Sequence, residues 1–106
     1  MAEEGKESSD VVKEAVQSLS NRIDTSLYLS SEENLVVREL LVGEKQDGLM
    51  DVSNDDKKIL LINAIARIGK AMDYKHFLKG KPAQIKAIES RIKIVDDWKT
   101  VGRSKK

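Results

Sequence analysis

Apolar residues recur along this chain at intervals of three and four, the period of a helix, and no segment alternates convincingly with the period of two expected of a strand. Val12, Val16, Leu19, Ile23 and Leu27 are spaced four, three, four and four. That predicts one helix face from Asp10 to Leu29, with Ser8, Ser9 and Asp10 as N-cap candidates. The near-heptad spacing also suits a partner helix. A second helix is announced by Ser30 followed three residues later by Glu33, the spacing of a capping box. Glu32 and Glu33 favour the positive end of its dipole. Leu35, Val36, Val37, Leu40 and Leu41 supply its buried face, and Gly43 its stop. Residues 44–53, with Asp47, Gly48 and Asp51, read as a loop.

A third helix starts after Ser53 or Asn54, with Asp55 and Asp56 in its first turn. Ile59, Leu60, Leu61, Ile62, Ala64, Ile65, Ala66, Ile68, Ala71 and Met72 cover most of its circumference. A helix apolar nearly all round is buried on several sides, so this one is expected at the centre. Gly69 inside it costs about 1 kcal/mol against alanine, and close approach of a neighbouring helix is the expected return. Residues 73–81 form a polar, basic connector. Pro82 then fits the first position of a fourth helix carrying Ile85, Ile88, Ile92, Val95 and Trp98, with Gly102 marking its end. The expected fold is all-α: a compact bundle of four helices, or five, in one domain over residues 10–102. A disordered acidic tail (1–9) and a basic tail (103–106) flank it.

Composition narrows the chemistry. With 106 residues and no cysteine, disulfide frameworks, thiolate metal sites and cysteine nucleophiles are excluded. The N-terminal Met1–Gly5 segment is acidic and polar, unlike a secretory leader. The longest dense apolar stretch, Ile59 to Ile68, is interrupted by Asn63 and Arg67 and is too short to cross a bilayer. An intracellular location, cytoplasm with nucleoid or nucleus, is therefore expected, with no membrane partner.

The formal charge of +1 conceals a segregation. Residues 1–56 carry fourteen acidic and five basic side chains, a net of −9; residues 57–106 carry four and fourteen, a net of +10. Such a split suits a polyanionic partner for the basic half, or mutual attraction of the two halves within one fold.

Catalytic patterns are missing. His76 is the single histidine, too few for a triad with its orienting acid or for an ordinary zinc site. Gly43 and Gly48 have the glycine spacing of a phosphate-binding loop, but Leu49 and Met50 follow instead of Lys and Ser/Thr. The acid-rich stretch Asp47–Asp56 misplaces the glycine of a calcium loop. Neighbouring carboxylates at Glu32/Glu33 and Asp96/Asp97 point about 100° apart on a helix and do not converge. A helix-turn-helix across Ile65–Leu78 would need a tighter, less charged connector than the one after Met72. A non-enzymatic protein without cofactor, metal or small-molecule substrate is expected.

What remains is Tyr74-Lys75-His76-Phe77-Leu78-Lys79-Gly80-Lys81, followed by Lys86, Arg91 and Lys93. Cations interleaved with aromatics suit phosphate contact and base stacking, so Tyr74, Lys75, His76, Phe77, Lys79, Lys81, Lys86, Arg91 and Lys93 form a candidate nucleic-acid surface for DNA or RNA. Tyr74 and Phe77 have the competing option of packing under the loop. The expectation is an accessory protein of the transcription or replication type. The alternative is a helical adaptor that binds protein partners or a second copy.

Two short stretches, Ile68-Gly69-Lys70-Ala71-Met72 with Lys75-His76, and Ile94-Val95-Asp96-Asp97-Trp98-Lys99, resemble the N-terminal domain of the elongation factor TFIIS and its relatives. The resemblance covers roughly residues 60–100. It implies a small helical bundle that binds short motifs in disordered regions of transcription regulators. Lys70, Met72, Ile94 and Trp98 would then lie near the family's packed or binding surface. The chain departs from that pattern at Ser90 and Arg91, where the family keeps apolar residues, so the last helix is expected to present a different face.

Overall fold

The computed structural model describes the backbone of residues 2–104 and the side chains of residues 10–99. Five α-helices and two 3-10 turns make up the fold, and no strand occurs among the described residues. The all-α bundle is as the apolar spacing predicts, with the connector contributing the fifth helix.

Helix α1, Ala2–Ser20, buries Val12, Ala15, Val16 and Leu19. Its backbone starts ahead of Asp10. Ser8, Ser9 and Asp10 therefore lie within the helix and none is its N-cap; the side chains of the acidic tail lie outside the described set. Its C-terminal end corrects the sequence reading. The helix stops at Ser20, nine residues short of Leu29. A turn at Asn21–Ile23 follows, then a 3-10 turn, Thr25–Tyr28. The cause is local. The Asp24 carboxylate accepts the Ser26 backbone N–H and hydroxyl, offering the chain an alternative to helical hydrogen bonds. Ile23 and Leu27 thereby leave the α1 face, and Leu27 ends 78% exposed. The remaining α1 stripe is spent inside the molecule, so it is not a free heptad seam.

Helix α2, Ser31–Val42, opens with the predicted capping box. Glu33 N–H donates to Ser30 Oγ (3.1 Å), and Ser30 N–H donates to Glu33 Oε1 (2.9 Å). It closes at Gly43, whose φ of 83° lies in the left-handed region and whose N–H reaches Glu39 O. The following loop is less idle than it reads. A second 3-10 turn, Asp47–Leu49, drives Leu49 into the interior with no residual exposure.

Helix α3, Asn54–Ala71, is capped by Ser53 Oγ, which accepts the Asp56 N–H. It packs against α2 on one side and α5 on the other, and touches the first 3-10 turn. It is central, as its composition suggests, but only its second half (Ala64, Ile65, Ala66, Ile68, Gly69) is buried; Ile59 remains 45% exposed. A Cβ on Gly69 would stand 2.6 Å from Ile88 Cγ2 and 3.0 Å from Ile92 Cδ1, so the glycine permits α5 to approach closely.

The connector folds into a one-turn helix, α4, Tyr74–Phe77. The turn after it places Leu78 fully inside and Gly80 at φ 85°. Helix α5, Pro82–Ser104, then returns along α3 and also packs on α1. It runs through Gly102 rather than ending there; the basic tail lies beyond the described side chains. Val16, Leu19, Leu49, Ile65, Ile68, Leu78 and Ile88 are the large side chains fully withdrawn from water. Each contributes about 1.5–3 kcal/mol by burial. No helix among the described residues is long and apolar enough to cross a membrane.

One polarity follows from this layout. Glu44, Asp47, Asp51, Asp55 and Asp56, all exposed, sit before or in the first turn of α3 and outnumber Lys45, Lys57 and Lys58 there. Lys75, Lys79 and Lys81, also exposed, lie just past its other end. Eighteen residues of helix separate them, a rise of about 27 Å.

Candidate functional site

The basic segment occupies α4, the turn around Gly80 and the first half of α5. Its aromatics turn inward. Tyr74 and Phe77 are half-buried against the core that contains Leu78 and Ile88. The Tyr74 hydroxyl faces Glu89 Oε2 at 3.4 Å, and Lys75 Nζ lies 3.5 Å from the same oxygen, so α4 is tied to α5 through one carboxylate. Burial, then the Glu89 charge, push the Tyr74 phenol above its ordinary value, which keeps it neutral. Phe77 carries the Arg22 guanidinium over its ring at 5.4 Å, with the His76 imidazole edge-on at 5.5 Å. Both aromatics therefore take the packing option, half-buried on the core rather than splayed out as in a stacking platform.

Arg91 is also committed locally. It is half-buried and donates to Ala87 O (3.2 Å) and Ser90 Oγ (3.0 Å), both on its own helix. Burial lowers its pKa from the ordinary guanidinium value. Ser90 and Arg91 are thus both hydrogen-bonded within α5.

Among the remaining cations, Lys13, Arg38, Lys45 and Lys58 are exposed elsewhere on the surface without an ion pair among the described residues, and two further groups bear on the basic segment. Lys57, Arg67, Lys70 and Lys75 each hold a carboxylate: Glu39 at 3.5 Å, Glu33 at 3.3 Å, Asp96 at 2.7 Å and Glu89 at 3.5 Å. The hydrogen bond from Lys70 is the main reason Asp96 sits below the usual carboxylate range. The first two pairs join the acidic half to the basic half, so part of the charge split does serve folding. Glu33 is almost fully buried while also closing the α2 cap. Lys79, Lys81, Lys86 and Lys93 are exposed and have no ion-pair partner among the described residues. Lys79 and Lys81 flank Gly80. Lys86 and Lys93, two turns apart, share a face of α5.

Two concave features involve residues the sequence reading left aside. Lys81 and Gln84 meet Asp10, Lys13, Glu14 and Gln17 in a polar cleft between α1 and the start of α5, where Gln84 Nε2 faces Glu14 Oε1 at 3.4 Å. Arg67, Lys70 and Lys99 rim a cavity of about 180 Å³ floored by Ala66 and Val95. Pairings across 26 or 70 residues carry no signature in one sequence, and only helix packing reveals them. Of the residues named by resemblance, Lys70 borders this cavity, Met72 packs on the core, Ile94 is half-buried, and Trp98 is 39% exposed. Among the described residues no group of three or more His, Asp or Glu side chains is arranged to hold a metal ion. No family model, curated protein or solved structure matches the chain.

Proposed function

We propose that this chain is a non-catalytic, nucleic-acid-associated accessory protein of the transcription or replication type, which grips phosphates rather than bases. The observation that carries the reading is the contrast between the two groups of cations. Lys79, Lys81, Lys86 and Lys93 are left exposed without an ion pair along the Gly80 turn and α5, whereas Lys70 and Lys75, before them in sequence, are paired. From Lys81 to Lys93 the rise along α5 is about 18 Å, roughly five steps of a strand at 3.4 Å each. With Tyr74 and Phe77 inward and Arg91 satisfied, contact is electrostatic and independent of sequence.

Fluorescence anisotropy with labelled duplexes, from about 20 to 300 mM salt, tests it. Four phosphate contacts give a log–log slope of about −3.6, and Lys79→Glu/Lys81→Glu brings it to about −2 or shallower. Absence of binding at the lowest salt defeats the proposal.

A second reading is a module that binds short protein motifs, as the TFIIS-like stretches imply. Its support is the cavity between Arg67, Lys70 and Lys99: the floor of Ala66 and Val95 suits an apolar anchor, and Lys99 stands beside it for an acidic neighbour while Arg67 and Lys70 hold Glu33 and Asp96. Trp98 is the only tryptophan and adjoins the lining residue Lys99, so its emission is the probe. Titration with acidic peptides shifts it under this reading, and Lys99→Glu abolishes the shift.

A further inference from the structure

An aliphatic groove lies away from the basic segment. It is a groove of about 410 Å³ between the first 3-10 turn and α2, lined by Ile23, Leu35, Val37, Leu41 and Val42. The break of α1 at Ser20 creates it, because Ile23 and the 3-10 turn fold back toward α2 instead of extending the helix. Leu27, beside the lining residues Thr25 and Ser26, is the most exposed large apolar side chain described, and Tyr28 and Val42 are exposed as well. The surface thus carries an exposed leucine one residue from the lining of an aliphatic groove.

The charges are arranged likewise. Asp24 and Arg38 both line the groove, and neither has an ion-pair partner among the described residues. A two-fold contact requires that whatever one copy offers, the other receives. This patch meets that requirement twice. Leu27 can enter the partner's groove while the partner's leucine enters this one, and each Arg38 can meet the Asp24 opposite. We infer that the face formed by the first 3-10 turn and α2 is an isologous contact through which two copies of this chain pair. The occupant is a second copy because the patch is complementary to itself in shape and in sign. A uniformly charged foreign segment would leave either Arg38 or Asp24 facing a like charge or none. The patch is small beside the roughly 800 Å² per partner of a stable interface, so pairing is transient and concentration-dependent. It does not depend on the nucleic-acid reading, since no lysine of the basic segment takes part.

Sedimentation equilibrium on the full chain, from about 5 to 500 µM, decides it. The expected result is a mass rising from the 11.9 kDa monomer toward twice that value. Leu27→Glu, at an exposed position, keeps the chain monomeric across the range with its helical circular dichroism unchanged. Arg38→Asp weakens pairing at least tenfold, whereas Arg38→Lys, which keeps the sign, leaves it within about twofold. Arg38 is exposed and makes no cap, so an unchanged circular dichroism in both variants distinguishes loss of the contact from damage to the fold. A wild-type chain monomeric at 500 µM overturns the inference, as does a dimer that survives both Leu27→Glu and Arg38→Asp. A monomer whose Leu35, Val37 and Leu41 methyl resonances move only with an added aliphatic peptide also overturns it, in favour of a foreign occupant.

Discussion

Single side chains set the corners of this fold. Ser30 fixes the start of α2 through one hydroxyl and one returning carboxylate. Ser30→Ala is expected to lower the unfolding free energy by about 1 kcal/mol in urea titration, with an unchanged m-value. Gly69 is the opposite case, a residue chosen for what it lacks. Gly69→Ala gains about 1 kcal/mol in helix propensity, yet its Cβ meets Ile88 Cγ2, a branched atom of a fully buried residue that has nowhere to move. The clash prevails, with a net loss of about 1–2 kcal/mol. Gly69→Ala combined with Ile88→Ala should cost less than the sum of the two single changes, which a double-mutant cycle measures. Tyr74 supplies a pH dependence. Its folded pKa lies above the ordinary 10.0, so its contribution to stability is complete below that pH and is lost as pH rises through the folded value. Tyr74→Phe is expected to flatten this part of the alkaline limb in a stability–pH profile.

At the scale of elements, legibility follows whether a signal is local. The cap of α2, the glycine stop, the start of α3 at Ser53 and the proline opening of α5 were all readable, because each is decided within about four residues. The end of α1 was not. Ile23 and Leu27 kept the helical period, and period outweighed the competing signal, an aspartate two residues before a serine with Asn21 just upstream. Leu49 escaped notice for another reason: one apolar residue inside a polar loop has no period at all. The two leucines should trade the energetic roles that spacing suggests. Leu49→Ala is expected to cost about 2–5 kcal/mol, since it empties a fully buried site. Leu27→Ala, at low protein concentration, should stay within about 0.5 kcal/mol. Chemical denaturation of the two variants side by side checks both. The candidate site was half legible. Its lysines lie on the surface as basic composition implies, whereas the inward turn of Tyr74 and Phe77 depends on Leu78 and α5 lying beneath them.

For the whole molecule, net charge is a poor guide to behaviour. The value of +1 averages over a predominantly acidic and a predominantly basic half. At about 0.15 M salt the screening length is about 8 Å, far shorter than the roughly 27 Å of α3 between them, so each end presents its own local field. Diluting the salt lengthens that reach until the acidic end opposes what the basic end attracts. Below about 20 mM salt the slope of affinity against salt should therefore shallow, and Asp55→Asn/Asp56→Asn should keep it steep in the same anisotropy assay. Separating unlike charges by a helix length also makes the protein an electrical compass. Approaching a polyanion, it is turned before it touches, with the lysines leading and the acidic loop trailing. Encounters are thereby pre-aligned, and the association rate should fall with added salt more steeply than the dissociation rate rises.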